Sequence, residues 1–268
     1  MHEDFTYTAH PNPMMATRRV LALVDPERNL RIFSGQVAEA RRVRASAFSS
    51  IEKEEAAATE MLDGGVTDDG TAVIRCFGSI AEAPAWMALW CGIVSPSRLA
   101  TVFDRYRSDP RVKQVWLMLD SPGGETAGVD VLAQQISDFP HPVHAIIGSE
   151  CCSAAYWLAS QCESISAHRS ATVGACGVFC VLWDDTEELA KLGLKTHLIT
   201  TGPLKGAGAP GQPWTDAQMA NYGQYVNDIF ALFQGAVLTH RKVSDDVWDG
   251  GIYTAATGLK HGLVDILI

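Results

Sequence analysis

The chain contains no run of about 18 consecutive apolar residues, the length a bilayer core demands of a helix, so no membrane span is expected. Basic residues are scarce: 21 Lys and Arg stand against 31 Asp and Glu, a formal net charge of −10. Nucleic-acid backbones and anionic membrane surfaces both recruit clustered Lys and Arg, so neither is expected as the main partner. The stretch Met1–Met15 carries acidic residues and prolines where a secretory signal has a basic start and an apolar run, which leads us to expect a cytoplasmic protein. The seven cysteines, at 76, 91, 151, 152, 162, 176 and 180, include no C-x2-C pair matched by a second. They fit reduced, buried thiols better than a disulfide framework or a zinc site, and no motif implies a metal or a cofactor. Internal repeats and low-complexity tracts are also missing.

What is present is the composition of a folded chain: 268 residues, 47% apolar and 19% charged, with 12 Pro and 23 Gly. These values exclude long disorder, collagen-like repeats and coiled coil as the main theme. At a prior of about 150 residues per domain, the length allows one large α/β domain or one domain plus an extension. Residues 1–71 carry mixed signals: a short apolar stretch at Val20–Val24, a basic stretch at Arg41–Arg44, then a Glu/Ala-rich run to Leu62. Turn residues at Asp63-Gly64-Gly65 and Asp68-Asp69-Gly70 suggest a boundary, so 1–71 is taken as an N-terminal extension with some helix.

From Ala72 short apolar runs alternate with helical patterns. Ala72–Phe77, Val112–Leu119 and His141–Ile147 are expected as strands, with helices over Ser97–Ser108 and from Val129 to Phe139. Ser153–Ser160 is expected as a short apolar helix, Ser164–His168 and Thr172–Leu182 as extended, Thr186–Leu192 as helix and Thr196–Thr200 as strand. Thr215-Asp216-Ala217-Gln218 has the form of a capping box. Met219, Tyr222, Val226, Ile229, Phe230, Phe233 and Val237 come after it at helical spacing, which predicts one long amphipathic helix to about Lys242. Strands alternating with helices in this way indicate crossover units and a mainly parallel sheet.

Three segments concentrate glycine and potential nucleophiles. Asp120-Ser121-Pro122-Gly123-Gly124 lies between a strand and a helix, where parallel sheets place ligands and where two glycines let backbone amides approach a substrate oxygen. A plain strand-to-helix turn fits equally well. Ser153 comes directly after Gly148-Ser149-Glu150-Cys151-Cys152 at a helix start, where it could be a helix cap or a nucleophile whose oxyanion faces helix amides. None of the eight histidines falls in a triad motif, and His144 reads as a satisfied, half-buried strand residue. Lys205, in the loop Thr200–Pro210, stands free of other charge from His197 to Pro213. A desolvated lysine can deprotonate a serine hydroxyl; an exposed lysine on a glycine-rich loop is the plainer alternative.

The order of these motifs resembles the serine-lysine peptidases of the signal peptide peptidase A family and the related phage head maturation proteases, within the Clp-protease/crotonase-like superfamily. The segment VKQVWLMLDSPGG is similar to the family's strand and glycine turn, and CCSAAYWLAS to its nucleophile helix. ATVGACGVF matches a later family segment loosely, Gly202-Pro203-Leu204-Lys205 falls at the family's lysine, and Gly262-Leu263-Val264-Asp265 matches its ending. The chain departs from the signal peptide peptidases at Ala154-Ala155, where they carry two glycines, and lies closer to the phage branch there. At Ala175-Cys176 it lacks the family's serine.

The resemblance covers residues 72–268 and implies a mainly parallel α/β fold of repeated β-β-α and βαβ units flanked by helices. It also implies a serine endopeptidase domain with Ser153 as nucleophile, Lys205 as base and Gly123 and Gly124 at the oxyanion. The expected partners are a protein or peptide substrate and further copies of the chain in a ring or dome. If the chain is phage-encoded, capsid, portal or scaffold proteins join them, and its place is the host cytoplasm or the prohead. A bacterial peptidase degrading peptides, an inactive capsid-assembly protein retaining the fold, and a cysteine hydrolase using Cys152 are the alternatives.

Overall fold

The computed structural model describes residues 49–268, so the apolar stretch at Val20–Val24 and the basic stretch at Arg41–Arg44 lie outside the described residues. The chain divides into two compact units, Met1–Lys53 and Glu54–Ile268. Of the first, residues 49–53 are described and are helical. The second opens on a helix over 54–60 (α1). Next come β1 (Asp63–Val66), β2 (Thr71–Phe77), α2 (Ala85–Cys91), α3 (Pro96–Arg107), β3 (Gln114–Ser121), α4 (Val129–Ser137), β4 (Val143–Cys152) and α5 (Ala154–Ser160). The remainder is β5 (Ser164–Ala167), β6 (Thr172–Gly174), α6 (Thr186–Lys191), α7 (Asp216–His240), β7 (Ile252–Thr254), α8 (Ala255–Gly258) and β8 (Ile266–Leu267).

The sheet runs β1-β2-β3-β4-β5-β8, with β6 also paired to β4 and β7 to β6. Among the described residues only β1/β2 and β6/β7 are antiparallel, so the mainly parallel α/β sheet expected from the alternating pattern is present. Its strands bury alternate apolar residues completely: Ile74 and Cys76 on β2, Val115, Leu117 and Leu119 on β3, Ala145 and Ile147 on β4. Helix α3 covers them with Leu99, Val102, Phe103 and Tyr106, and α4 with Val129, Leu132, Ala133 and Ile136, each at 3.6-residue spacing. Each large side chain buried here stabilises the fold by about 1.5–3 kcal/mol relative to exposure.

One irregularity sets up the site. Leu119 pairs with Ile147, yet Ser121 pairs with Cys151, so β4 carries extra residues over 148–150 relative to β3. A bulge of this kind bends its strand and re-aims the residues beyond it. Before the bulge β4 pairs with β5; after it, Glu150, Cys151 and Cys152 pair with β6.

Two expectations fail in one region. Thr196–Thr200 is not a strand and Thr172–Leu182 is a strand only to Gly174. Thr196–Thr200 and the residues after Gly174 have strand-like composition but pair with no strand among the described residues, and Ile199 is 96% exposed. Helix α7 forms with the expected capping box, Thr215 Oγ1 accepting from the Gln218 amide and the Gln218 side chain from the Thr215 amide. Of its apolar face only Phe233 and Val237 are buried, while Met219 stands exposed.

Candidate active site

Ser153 sits between the bent end of β4 and the first residue of α5, with φ 52° and ψ −124°. Among the described residues it is one of two non-glycine positions with positive φ, the other being Ala175 at 48°. Side chains avoid this region at a cost of order 1–3 kcal/mol, so surrounding bonds must hold the residue there. They do: the Ser153 amide donates to Gly174 O at 2.9 Å, and the Ala175 amide donates to Gly251 O at 2.7 Å. The Ser153 hydroxyl makes no capping bond to α5, which removes the helix-cap alternative, and the residue is half-buried.

All of α5 is buried, and Trp157 stacks on Phe233 of α7 with ring centroids 5.0 Å apart. Its C-terminal end is held by Arg241, whose guanidinium donates to the Ser160 and Cys162 carbonyls and pairs with Asp265 at 2.5 Å. Asp265 also accepts the Ile165 amide at 2.7 Å. The closing Gly-Leu-Val-Asp segment is therefore structural, a clamp on the far end of the helix that begins at Ser153.

The glycine turn lies directly against Ser153. A Cβ added to Gly123, whose φ is 94°, would come within 2.5 Å of Cys152 O, 2.8 Å of Ser153 Cβ and 2.9 Å of Ala154 N. Only glycine fits there. Accounting for the turn's donors separates the two glycines. Pro122 has no N–H, the buried Gly123 amide donates to Ser121 Oγ at 3.1 Å, and the Glu125 amide donates to Ile80 O at 2.8 Å. The Gly124 amide is left without an acceptor among the described residues, on an exposed residue. Ala154 adds a second open donor, because the first N–H groups of a helix have no intrahelical acceptor. The sequence reading offered the amides of both glycines and the helix amides as a group; in the structure the Gly123 amide is committed to Ser121 Oγ, and Gly123 gives the backbone room to approach Ser153.

The cleft that Lys205 lines does not include Ser153. Lys205 is exposed, on one wall of this open cleft of about 720 Å³, shared with Tyr222, Tyr225 and Asp228 of α7. No hydrogen bond joins it to Ser153 within the chain. The stretch around it is charge-free in sequence but not in space, since Asp228 lines the same cleft and Lys205 itself is exposed in the single chain. Burial and the neighbouring Glu150 carboxylate push the Cys152 thiol up to about 11, which argues against a thiolate there. His144 donates or accepts at Ser164 Oγ, 2.8 Å away, as the structural reading of a strand histidine requires.

The family model described as "Peptidase family S49" matches residues 136–268, from the last turn of α4 to the C-terminus. This part of the chain is similar to peptidase family S49. The matched segment holds Ser153, Lys205 and the strained Ala175, while the glycine turn precedes it. A putative protease of Methanocaldococcus jannaschii is 29% identical over 170 residues, covering 61% of this chain and 55% of its own length. The head-tail preconnector protein GP5 of Enterobacteria phage P21 is 26% identical over 205 residues, covering 75% and 41%. The capsid assembly protease C of Escherichia phage lambda is 25% identical over 254 residues, covering 88% and 57%. The chain thus spans about half the length of these curated relatives. Among the described residues, no helix is long and apolar enough to cross a membrane.

Proposed function

We propose that this chain is a serine endopeptidase whose catalytic unit, residues 72–268, hydrolyses peptide bonds through an acyl-enzyme. The observation that carries the reading is Ser153: a strained, uncapped serine at a strand-to-helix elbow, pressed against a glycine turn, with the Gly124 amide of the turn and the Ala154 amide of α5 both open. Ser153 Oγ attacks the scissile carbonyl while its proton passes to neutral Lys205 Nζ. The carbonyl oxygen takes the charge and is held by the Gly124 and Ala154 amides. Collapse breaks the C–N bond, the leaving amine takes the proton from Lys205, and the acyl group stays on Ser153. Water then gives a proton to Lys205 and attacks the ester, which releases the acid and restores the serine.

Because Lys205 stands in solvent in the single chain, we infer that a second copy brings it to Ser153 and desolvates it. The exposed apolar residues between β6 and α7, Phe179 at 85% and Trp183 at 83% exposure among them, supply the surface for that contact. The two phage relatives favour capsid or scaffold proteins as substrates during head maturation, in the host cytoplasm or prohead; general peptide degradation is the other reading within the same chemistry. Ser153→Ala and Lys205→Ala should each lower cleavage of a casein-type or capsid-protein substrate by at least about 10,000-fold while leaving the fold intact by circular dichroism. Full activity in either variant overturns the assignment.

A further inference from the structure

Resting on the reading of Ser153 as nucleophile, we propose that Ser121 is a positioning residue for the oxyanion site, acting by holding the Gly123 peptide so that the Gly124 amide alone faces the reacting carbonyl. Ser121 is completely buried at the end of β3. Its register partner is Cys151, the first residue to pair with β3 after the β4 bulge and two residues before the nucleophile. Its hydroxyl oxygen accepts the Gly123 N–H, a local bond that fixes the rotation of the peptide plane entering the turn.

The other side of the turn is pinned by Ile80, whose amide donates to Gly123 O at 2.8 Å and whose carbonyl accepts from Glu125 at 2.8 Å. With Gly123 O, Gly123 N–H and Glu125 N–H all committed, the peptide between Gly123 and Gly124 has one orientation available. Its N–H is the single open donor of the turn. Without the Ser121 acceptor, the buried Gly123 N–H would be left unpaired and the peptide plane would turn to satisfy it. That turn moves the Gly124 donor away from a position held tightly by the close approach of Gly123 to Ser153 Cβ and Ala154 N.

The test compares the full chain with Ser121→Ala, which removes the acceptor, Ser121→Cys, which keeps the volume with a weaker acceptor, and Ser121→Thr, which keeps the hydroxyl. The readouts are kcat and KM on a fluorogenic peptide that the unaltered chain cleaves, and affinity for a peptide aldehyde whose tetrahedral adduct places an oxyanion in the same site. The Ala and Cys variants should lose roughly tenfold to hundredfold in kcat with KM within about twofold, and lose aldehyde affinity by a similar factor. Ser121→Thr should recover most of both. Wild-type kcat in a folded Ala or Cys variant overturns the proposal, as does failure of both to fold, which would make Ser121 a purely structural residue. A loss confined to KM also overturns it. Activity persisting in Ser153→Ala would instead overturn the nucleophile assignment, which separates the two failures.

Discussion

At the scale of single residues, burial decides which groups react. Cys76, Cys162 and Cys176 have thiols pushed up to about 12 by burial, Cys151 is pushed up by the same cause, and Cys152 to about 11; Cys91 and Cys180 are exposed. The thiolate is the nucleophile, and an exposed thiol supplies far more of it at pH 8 than a buried one. Iodoacetamide at that pH should therefore label Cys91 and Cys180 in the native chain and the other five only after unfolding, counted by intact mass. Early modification of Cys152 would show that the end of β4 opens and would revive a thiol mechanism. Ser153 and the paired glycines were legible in the sequence because their spacing places them at strand ends. The division of labour between Gly123 and Gly124 was not, since it depends on which amide Ser121 takes.

At the scale of elements, β1 shows how a strand too short to stand alone is retained. Its first residue, Asp63, accepts bonds from the Tyr106 hydroxyl, the Gly65 amide and the Arg105 guanidinium, tying it to α3. Burial alone would raise the Asp63 carboxyl; these three donors more than offset it and hold the group below its ordinary value near 3.8. A carboxyl depressed in the folded state adds stability above the unfolded value, and that stability is lost as pH falls through the folded one. Asp63→Asn should thus cost about 1–3 kcal/mol in denaturant unfolding near pH 7. The gap between the two proteins should narrow steadily below about pH 4. A gap still constant at about pH 2.5, well under the ordinary carboxylate range, would mean that packing, not charge, carries the effect. The turn residues at 63–70 suggested a boundary, but nothing in their composition signals that Asp63–Val66 form a strand on β2. Period and caps disclosed the longer elements, including α7 with its capping box. Thr196–Thr200 misled because β-branched composition signals a strand only where an edge is available to receive it.

At the scale of the whole molecule, the stretch from Phe179 to Leu204 places large apolar side chains in water while the only lysine assigned a chemical task faces an open cleft. The proposed second copy would answer both at once, covering the apolar surface and receiving the lysine. A head-to-tail contact repeated around a ring would bring Ser153 of each copy to Lys205 of the next. Two inactive variants then become complementary. Ser153→Ala retains the lysine, Lys205→Ala retains the serine, and an equimolar mixture that exchanges subunits should regain about a quarter of wild-type activity, because each site draws its two residues independently. Trp183→Asp combined with Ile199→Asp, which charges the apolar surface, should abolish both assembly in sedimentation and the recovered activity. No recovery from a mixture whose exchange is verified by labelled subunits would place the dyad within one chain, and Lys205 would then have to reach Ser153 by movement of the segment between β6 and α7.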